Sequence, residues 1–310
     1  MSRNTKDYLK ISLKGIAMGI ADTIPGVSGG TIAFITGIYE ELVSSISNVN
    51  LRLFQVWKTE GFWSFWKKLN GGFLLALLTG ILVSVFSFMR LANYLLKTEP
   101  LLVWSFFFGL VLASILLVGK EIKNWRGATL TTLIIGACIA YGITILPPAT
   151  QNTSYWFLFI SGAFAVCAMI LPGISGAFIL VLLGSYQTIT QAVHDFDFKR
   201  ILAVALGAIM GLLSFSRVLK WLFNHYKNLT LALLTGFIAG SLNKIWPWKN
   251  TIDSITIREK TIVLAEQSVL PDNFKGEPQT WSCILFMLLG FFSILFLERK
   301  AAKKQTNNAK

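Results

Sequence analysis

Residues 21–30 read Ala21-Asp22-Thr23-Ile24-Pro25-Gly26-Val27-Ser28-Gly29-Gly30, and residues 170–177 read Ile170-Leu171-Pro172-Gly173-Ile174-Ser175-Gly176-Ala177. Each stretch interrupts an apolar region, the first over 11–38 and the second over 156–190. Proline removes a backbone donor and clashes with the preceding turn, and the glycines beside it free the dihedrals, so neither region is expected to be one continuous helix. Backbone groups freed inside hydrocarbon have to be buried in protein or line a wet cavity. The pattern predicts two re-entrant hairpins, each a helix broken at Pro25-Gly26 or Pro172-Gly173 and a second helix returning to the same side.

The sequence around these breaks is that of a membrane protein. Hydrophobic residues make up 54% of the 310 and charged residues 14%, against roughly 25% charged in soluble domains. Six further stretches, at 71–90, 101–119, 128–146, 201–223, 229–246 and 281–297, approach the ~20 apolar residues that cross a bilayer and have no polar face. The net charge of +13 lies at segment ends and in both tails, which points to topology and anionic-lipid contact and not to nucleic acid. Cys138, Cys167 and Cys283 sit inside apolar runs without a CxxC spacing and carry no assigned chemistry. No cleavable signal peptide is evident, because the basic start is followed by a stretch interrupted at Asp22 and Pro25.

The two broken regions repeat one another. A shift of 147 carries Gly15 onto Gly162, Ala21 onto Ala168, Pro25 onto Pro172, Ser28 onto Ser175, Gly29 onto Gly176, Gly37 onto Gly184 and Tyr39 onto Tyr186. A shift of 127 then carries Gly80 onto Gly207, Ser87-Phe88-x-Arg90 onto Ser214-Phe215-x-Arg217 and Gly109 onto Gly236. Chance similarity between apolar segments matches leucines and alanines, not Pro, Gly, Ser and Arg at fixed offsets. The offset shrinks because the first half carries an insert, 45–70, where Trp57, Phe62, Trp63, Phe65 and Trp66 alternate with Lys58, Lys67 and Lys68 in the manner of an interfacial amphipathic stretch.

The expected fold is therefore an all-α polytopic membrane protein made of two inverted repeats, each a re-entrant broken-helix hairpin plus three transmembrane helices. The first repeat covers 1–146 (hairpin 11–38, insert 45–70, spans 71–90, 101–119 and 128–146). The second covers 156–300 (hairpin 156–190, spans 201–223, 229–246 and 281–297, with an external segment 247–280). Three spans between the hairpins, an odd number, make the repeats inverted. With both termini cytoplasmic, the basic 120–127 loop falls inside and the uncharged 147–155 loop outside, as the positive-inside rule prefers.

Inverted repeats with broken helices place a substrate site near the midplane. Half-helices beginning at Ser28, Gly29 and Gly30 and at Ser175, Gly176 and Ala177 offer backbone N–H groups at a positive dipole end, which suits phosphate or carboxylate. Arg90 and Arg217, paired by the repeat, would add planar cationic forks; alternatively they snorkel to the interface from the ends of their spans. The breaks at Pro25, Gly26, Pro172 and Gly173 also have a purely structural reading as kinks. Asp22 either caps the half-helix or serves as a coupling site for H+ or Na+, as intramembrane carboxylates do. Glu40 and Glu41 read as solvated at the end of the hairpin, and His194 and His225 stand at no ligand spacing.

On Gly19-Ile20-Ala21-Asp22-Thr23-Ile24-Pro25-Gly26-Val27-Ser28-Gly29-Gly30-Thr31 and Leu171-Pro172-Gly173-Ile174-Ser175-Gly176, the chain resembles the bacterial polyprenyl-phosphate transporter family. The resemblance extends over nearly the whole chain. It implies a lipid-phosphate substrate, undecaprenyl phosphate, moved from the outer to the cytoplasmic leaflet of the bacterial inner membrane for reuse in cell-wall synthesis, with no cofactor or metal. The second motif departs by Met169 at the position of Asp22 and Ala177 at that of Gly30, so the halves are not chemically equivalent. Two other classes stay open. One is an ion-coupled transporter of a small soluble anion. The other is a lipid-phosphate enzyme, which the spacing of the two histidines does not favour, since that chemistry needs a nucleophile with a base or a metal cluster.

Overall fold

A computed structural model describes residues 3–22, 28–257 and 260–308; the side chains of 89, 90, 93, 253–257, 260–265 and 297–308 lie outside the description. In chain order the helices are α1 Thr5–Asp22, α2 Gly29–Ile35, α3 Tyr39–Ser47, α4 Leu51–Glu60, α5 Phe62–Leu69, α6 Gly71–Thr98, α7 Pro100–Glu121 and α8 Gly127–Ile145. They continue as α9 Tyr155–Ile170, α10 Gly176–Leu182, α11 Tyr186–His194, α12 Phe198–His225, α13 Lys227–Ser241 and α14 Thr280–Asn308. A strand pair, β1 Lys249–Ile257 and β2 Lys260–Ser268, stands between α13 and α14.

In each broken region a longer helix is followed by a short one; 171–175 form the break in the second, and in the first Ser28, directly before α2, is extended. α2 packs back against α1, and α10 against α9. Each short helix ends at a glycine with positive φ, Gly37 (70°) and Gly184 (67°), where an L side chain would be strained. A second short helix follows each, α3 and α11, and α10 and α11 meet at 108°. Pro25 and Gly26 lie outside the described residues. Pro172 is fully buried and Gly173 takes φ 91°.

The chain divides into two compact units, residues 1–92 with 148–230 and residues 93–147 with 231–310. In the first, α1 lies on α6 and α9 on α12 through small residues. A Cβ on Gly15 would strike the Leu77 carbonyl, and one on Gly162 the Val204 carbonyl; Gly80 faces the Ser12 carbonyl as Gly207 faces that of Phe159. These positions are related by the sequence offsets of 147 and 127. Close backbone approach at small residues is how helices associate where lipid tails remove the hydrophobic drive.

In the second unit α7 packs on α14 and α8 on α13. Gly109 meets the Met287 carbonyl and Gly290 that of Phe106, while Gly236 meets Leu133 and Gly136 meets Leu233. Again one set of contacts maps onto the other, but here each pair takes one helix from each half of the sequence. The compact units thus cut across the two halves.

Four described helices are long and apolar enough to cross a membrane, at Gly71–Phe88, Pro100–Glu121, Gly127–Ile145 and Phe198–His225. Their large side chains face outward, as with Phe86 (82% exposed), an arrangement suited to lipid and not to water. The expected span at 281–297 lies inside α14, Thr280–Asn308, and the one at 229–246 is shorter than expected. α13 has 15 residues and gives way to a 3-10 turn, Leu242–Ile245. At 1.5 Å per residue α13 covers about 22 Å, less than the ~30 Å of hydrocarbon.

The expectation of an all-α chain is corrected by the β1–β2 hairpin, inside the segment read as an external loop. Its antiparallel register runs from Lys249↔Ser268 to Ile257↔Lys260. Ile252, Ile255, Thr256, Ile257, Thr261, Ile262 and Val263 supply the β-branched residues that favour an extended pleated chain. The insert folds as α4 and α5, whose aromatic side chains cluster (Phe62 stacks on Trp66 with centroids 5.8 Å apart) while Trp63 stays 79% exposed. No side chain of α5 is buried.

Candidate functional site

The two sequence breaks meet. In the first compact unit the backbone N–H of Gly173 donates to Thr31 Oγ1 at 2.8 Å, and Ser28 Oγ lies 3.3 Å from the Met169 carbonyl, to which it donates. A Cβ on Gly30 would come within 2.7 Å of the Ile170 carbonyl and 3.0 Å of that of Met169. Only glycine allows this approach. Ser28 and Thr31 are each 1% exposed, so the first break's side of the junction is buried, while Met169 on the other side is exposed.

The start of α2 is already capped. Ser28, extended at φ −116° and ψ 134°, accepts from Gly30 N–H at 3.1 Å in the manner of an N-cap residue. Asp22, at the last position of α1, accepts from Gly29 N–H through Oδ1 at 2.6 Å. A carboxylate therefore occupies the positive end of the half-helix, where an external anion would have to bind. The α10 start is built differently. Ser175 holds the N-cap position without a side-chain bond, Gly176 is buried with the Ala165 carbonyl 2.6 Å from where its Cβ would be, and Ala177 is exposed. Met169, at the position matching Asp22, brings no carboxylate. The asymmetry expected from the sequence is physical: one half-helix carries its own anion and the other does not.

Arg217 sits elsewhere in this unit. Its guanidinium donates to the Val49 carbonyl at 2.9 Å, and Lys220, one turn on, donates to Asn48 Oδ1 at 2.9 Å, so the two cations of α12 close the C-terminal end of α3. Cations there complement the helix dipole. Among the described residues these contacts do not join Arg217 to either break, and the Arg90 side chain lies outside the described residues. Glu40 and Glu41, read as solvated, are ion-paired: Glu40 with Lys227 at 2.6 Å, and Glu41 with Arg3 at 2.6 Å while also accepting from Asn70.

Thr31 was given no role by sequence reasoning, although it closes the first motif. The signal lay in the repeat: Phe178 stands at the matching position of the second half, so only one half can supply this hydroxyl. Lys14 was also missed; its ammonium donates to the Thr36 carbonyl at 2.6 Å, at the end of α2.

The family described as undecaprenyl phosphate translocase-like matches residues 18–263. A Vibrio cholerae protein named polyprenyl-phosphate transporter is 43% identical over 308 residues, covering 98% of this chain and 100% of that protein. A Staphylococcus aureus protein of the same name is 34% identical over 254 residues, 76% of this chain and 85% of that one. No solved structure matches the chain. The matched region takes in both breaks, the junction between them and Arg217, and on that extent the chain belongs to the undecaprenyl phosphate translocase-like family.

Proposed function

We propose that this chain is a transporter of polyprenyl phosphate, carrying undecaprenyl phosphate from the outer to the cytoplasmic leaflet of the bacterial inner membrane so that the lipid carrier is reused in cell-wall synthesis. The observation that carries this reading is the junction of the two breaks, Ser28–Thr31 against Met169–Gly173, in a chain nearly half identical to a protein named for that substrate. A phosphate head is costly to move through bare hydrocarbon, whereas its tail is at home there. A polar site reached sideways from lipid serves both ends of such a molecule.

In this reading the two halves are inverted repeats, 1–146 and 156–300, with both termini cytoplasmic. The head group is held by backbone N–H groups of Ser28, Gly29 and Gly30 and of Ser175, Gly176 and Ala177. Because Asp22 already takes the Gly29 N–H and Ser28 Oγ the Gly30 N–H, phosphate has to displace both acceptors, and it competes with the Asp22 carboxylate for the first. Neutralising Asp22 with H+ or drawing it aside with Na+ would release that donor, which ties head-group binding to a coupling ion. Arg217 uses one donor on Val49 and has four more in its fork for a phosphate; Arg90 is its counterpart in the first half.

The experiment is leaflet exchange in proteoliposomes holding the purified chain, followed with a fluorescent polyprenyl phosphate, with inorganic phosphate uptake and phosphate release measured in parallel. Wild-type protein is expected to exchange the lipid, and Gly29→Leu and Gly176→Leu to abolish exchange. Uptake of inorganic phosphate without lipid exchange would replace this reading by a soluble-anion transporter. Phosphate released from the lipid would make the chain an enzyme.

A further inference from the structure

The α4–α5 insert presents an apolar face that the transport reading does not use. On α5, Phe62, Phe65, Trp66 and Leu69 fall at i, i+3, i+4 and i+7, with Ser64, Lys67 and Lys68 on the other side. On α4, Leu53, Phe54, Val56 and Trp57 share one side, and Arg52, Gln55, Lys58 and Thr59 the other. The two apolar sides meet at Phe65, whose ring centroid lies 6.4 Å from that of Phe54, 5.7 Å from Trp57 and 6.1 Å from Phe62. Trp63 extends the row, 6.0 Å from Phe62. The rings are joined, yet Phe54, Trp57 and Phe62 are about half exposed and Trp63 is 79% exposed. A joined patch of exposed rings with a polar rim marks a contact with a protein or a membrane.

The patch stands beside a span. α5 ends at Leu69, Asn70 turns the chain at φ 60°, and α6, apolar enough over Gly71–Phe88 to cross a membrane, begins at Gly71. Trp66 lies so close over Gly71 that a Cβ there would come within 2.4 Å of its ring. The rings thus adjoin the first turn of α6, where a span leaves the headgroups for hydrocarbon and where aromatic side chains gather. Charge is present too. Residues 50–70 hold four cations and one carboxylate, and that carboxylate, Glu60, accepts from Lys68 at 2.9 Å. Arg52, Lys58 and Lys67 are exposed and leave the polar side net positive. The insert is also fastened to α3. Asn48 donates to the Lys68 carbonyl at 3.1 Å, and Asn70 donates to Glu41 Oε1 at 2.6 Å and to Ser45 Oγ at 3.1 Å.

We propose that α4–α5 is a surface platform, which seats its aromatic face in the leaflet from which α6 departs and holds anionic phospholipid headgroups with Arg52, Lys58 and Lys67. In the topology proposed above that leaflet is the cytoplasmic one. Continuity of the patch with the start of a span selects a lipid surface over a second copy of the chain. So does the positive charge on the polar side, which suits phosphatidylglycerol and repels a like surface. Because Asn48 and Asn70 join the platform to α3, its grip on lipid is also a grip on the helix that follows the first hairpin.

The test uses the full chain in nanodiscs, with Trp63→Cys, Phe54→Cys or Gln55→Cys as the single cysteine, Cys138, Cys167 and Cys283 being replaced. Each thiol carries a nitrobenzoxadiazole fluorophore. Labels on Trp63→Cys and Phe54→Cys are expected to emit as from an apolar medium and to be quenched by doxyl-labelled lipid. The label on Gln55→Cys, on the polar side of α4, is expected to emit as from water. Doxyl-phosphatidylglycerol should quench the Trp63→Cys label at about one-fifth the mole fraction that doxyl-phosphatidylcholine needs, the worth of one cation at a membrane surface. Replacing Arg52, Lys58 and Lys67 by Gln should bring the two lipids level. Watery emission from both Trp63→Cys and Phe54→Cys would overturn the platform, and cross-linking of two chains through the Trp63→Cys thiol would give the face to a second copy. Equal quenching by the two lipids before the cations are replaced would overturn the anionic selection. Each of these results leaves the proposed function standing, because none of them reads transport.

Discussion

Thr31 shows how one hydroxyl joins two halves of a sequence. Its Oγ1 accepts the Gly173 N–H, and Thr31 itself is buried. Thr31→Val keeps the shape and removes the acceptor, leaving a part-buried donor without its partner, which costs about 1 kcal/mol. Thermal unfolding of the purified protein should show that loss, and Thr31→Ser should recover most of it. A Val variant as stable as wild type would mean that Gly173 finds another acceptor. Arg217 poses the complementary question, since an arginine on a span end has an interfacial role available to it. Its bond to Val49 O uses one N–H, and an ammonium makes that bond as well. If the fork also holds phosphate, Arg217→Lys should weaken polyprenyl-phosphate binding markedly and Arg217→Ala by about 1.5–3 kcal/mol, some 10- to 150-fold. Wild-type binding in both variants would reduce Arg217 to a clasp on α3. The Pro, Gly and Ser residues of the breaks were legible in the sequence because each has a backbone meaning of its own. The contact from Thr31 to Gly173 was not, since a threonine after a glycine pair is ordinary until its partner 142 residues away is in view.

Among the elements, the hairpins and the four long helices were legible because length and apolar run define them with little help from packing. The β1–β2 hairpin was not. Its charges nearly balance and its isoleucines are broken by Asp253 and Ser254, so alternation is weak, and what fastens it is a tertiary contact. Lys249, with its side chain 8% exposed, is held between Glu266 and Trp104. Burial pushes the Lys249 ammonium below its ordinary range. Burial pushes Glu266 the other way, but the ammonium groups of Lys249 and Lys244 outweigh it and hold the carboxyl below the usual carboxylate range. A depressed carboxyl stabilises the folded form above its unfolded pKa, about 4.3, and that contribution is lost only as pH falls through the lower folded value. The hairpin should therefore resist added protease unchanged from pH 7 to about pH 5 and loosen only progressively as the pH falls below about 4.3. Glu266→Gln leaves Lys249 buried without its counter-charge. Proteolysis within 249–268 at neutral pH is the expected result, and a Gln variant as resistant as wild type would show that the cation–π contact and the Lys244 carbonyl suffice.

At the scale of the whole molecule the open matter is which ends face the cytoplasm, and one unit of the structure bears on it directly. Lys249 rests on Trp104 in the first turns of α7, while residues 122–126 follow the far end of the same helix. α7 has 22 residues, a length of about 33 Å, enough to cross the hydrocarbon. If α7 spans the bilayer, the strand pair and the 122–126 loop stand on opposite faces, whatever the sign of either. In the proposed topology the sign comes from charge: Lys120, Lys123 and Arg126 put the loop in the cytoplasm, and the segment after α13 is then external. Three candidate spans lie between the first hairpin and the second, so the proposed assignment inverts one half relative to the other. Single cysteines placed at Asn273 and at Asn124 decide it, in a background where Cys138, Cys167 and Cys283 are replaced. Both positions are exposed, so failure to label reports the side of the membrane and not burial. A membrane-impermeant maleimide added to intact cells should modify Cys at 273 and spare Cys at 124, and cell lysis should open 124 to the reagent. The reverse pattern would turn the molecule over, placing the strand pair in the cytoplasm. Labelling of both from outside would mean that α7 does not cross, and the inverted arrangement would fall with it.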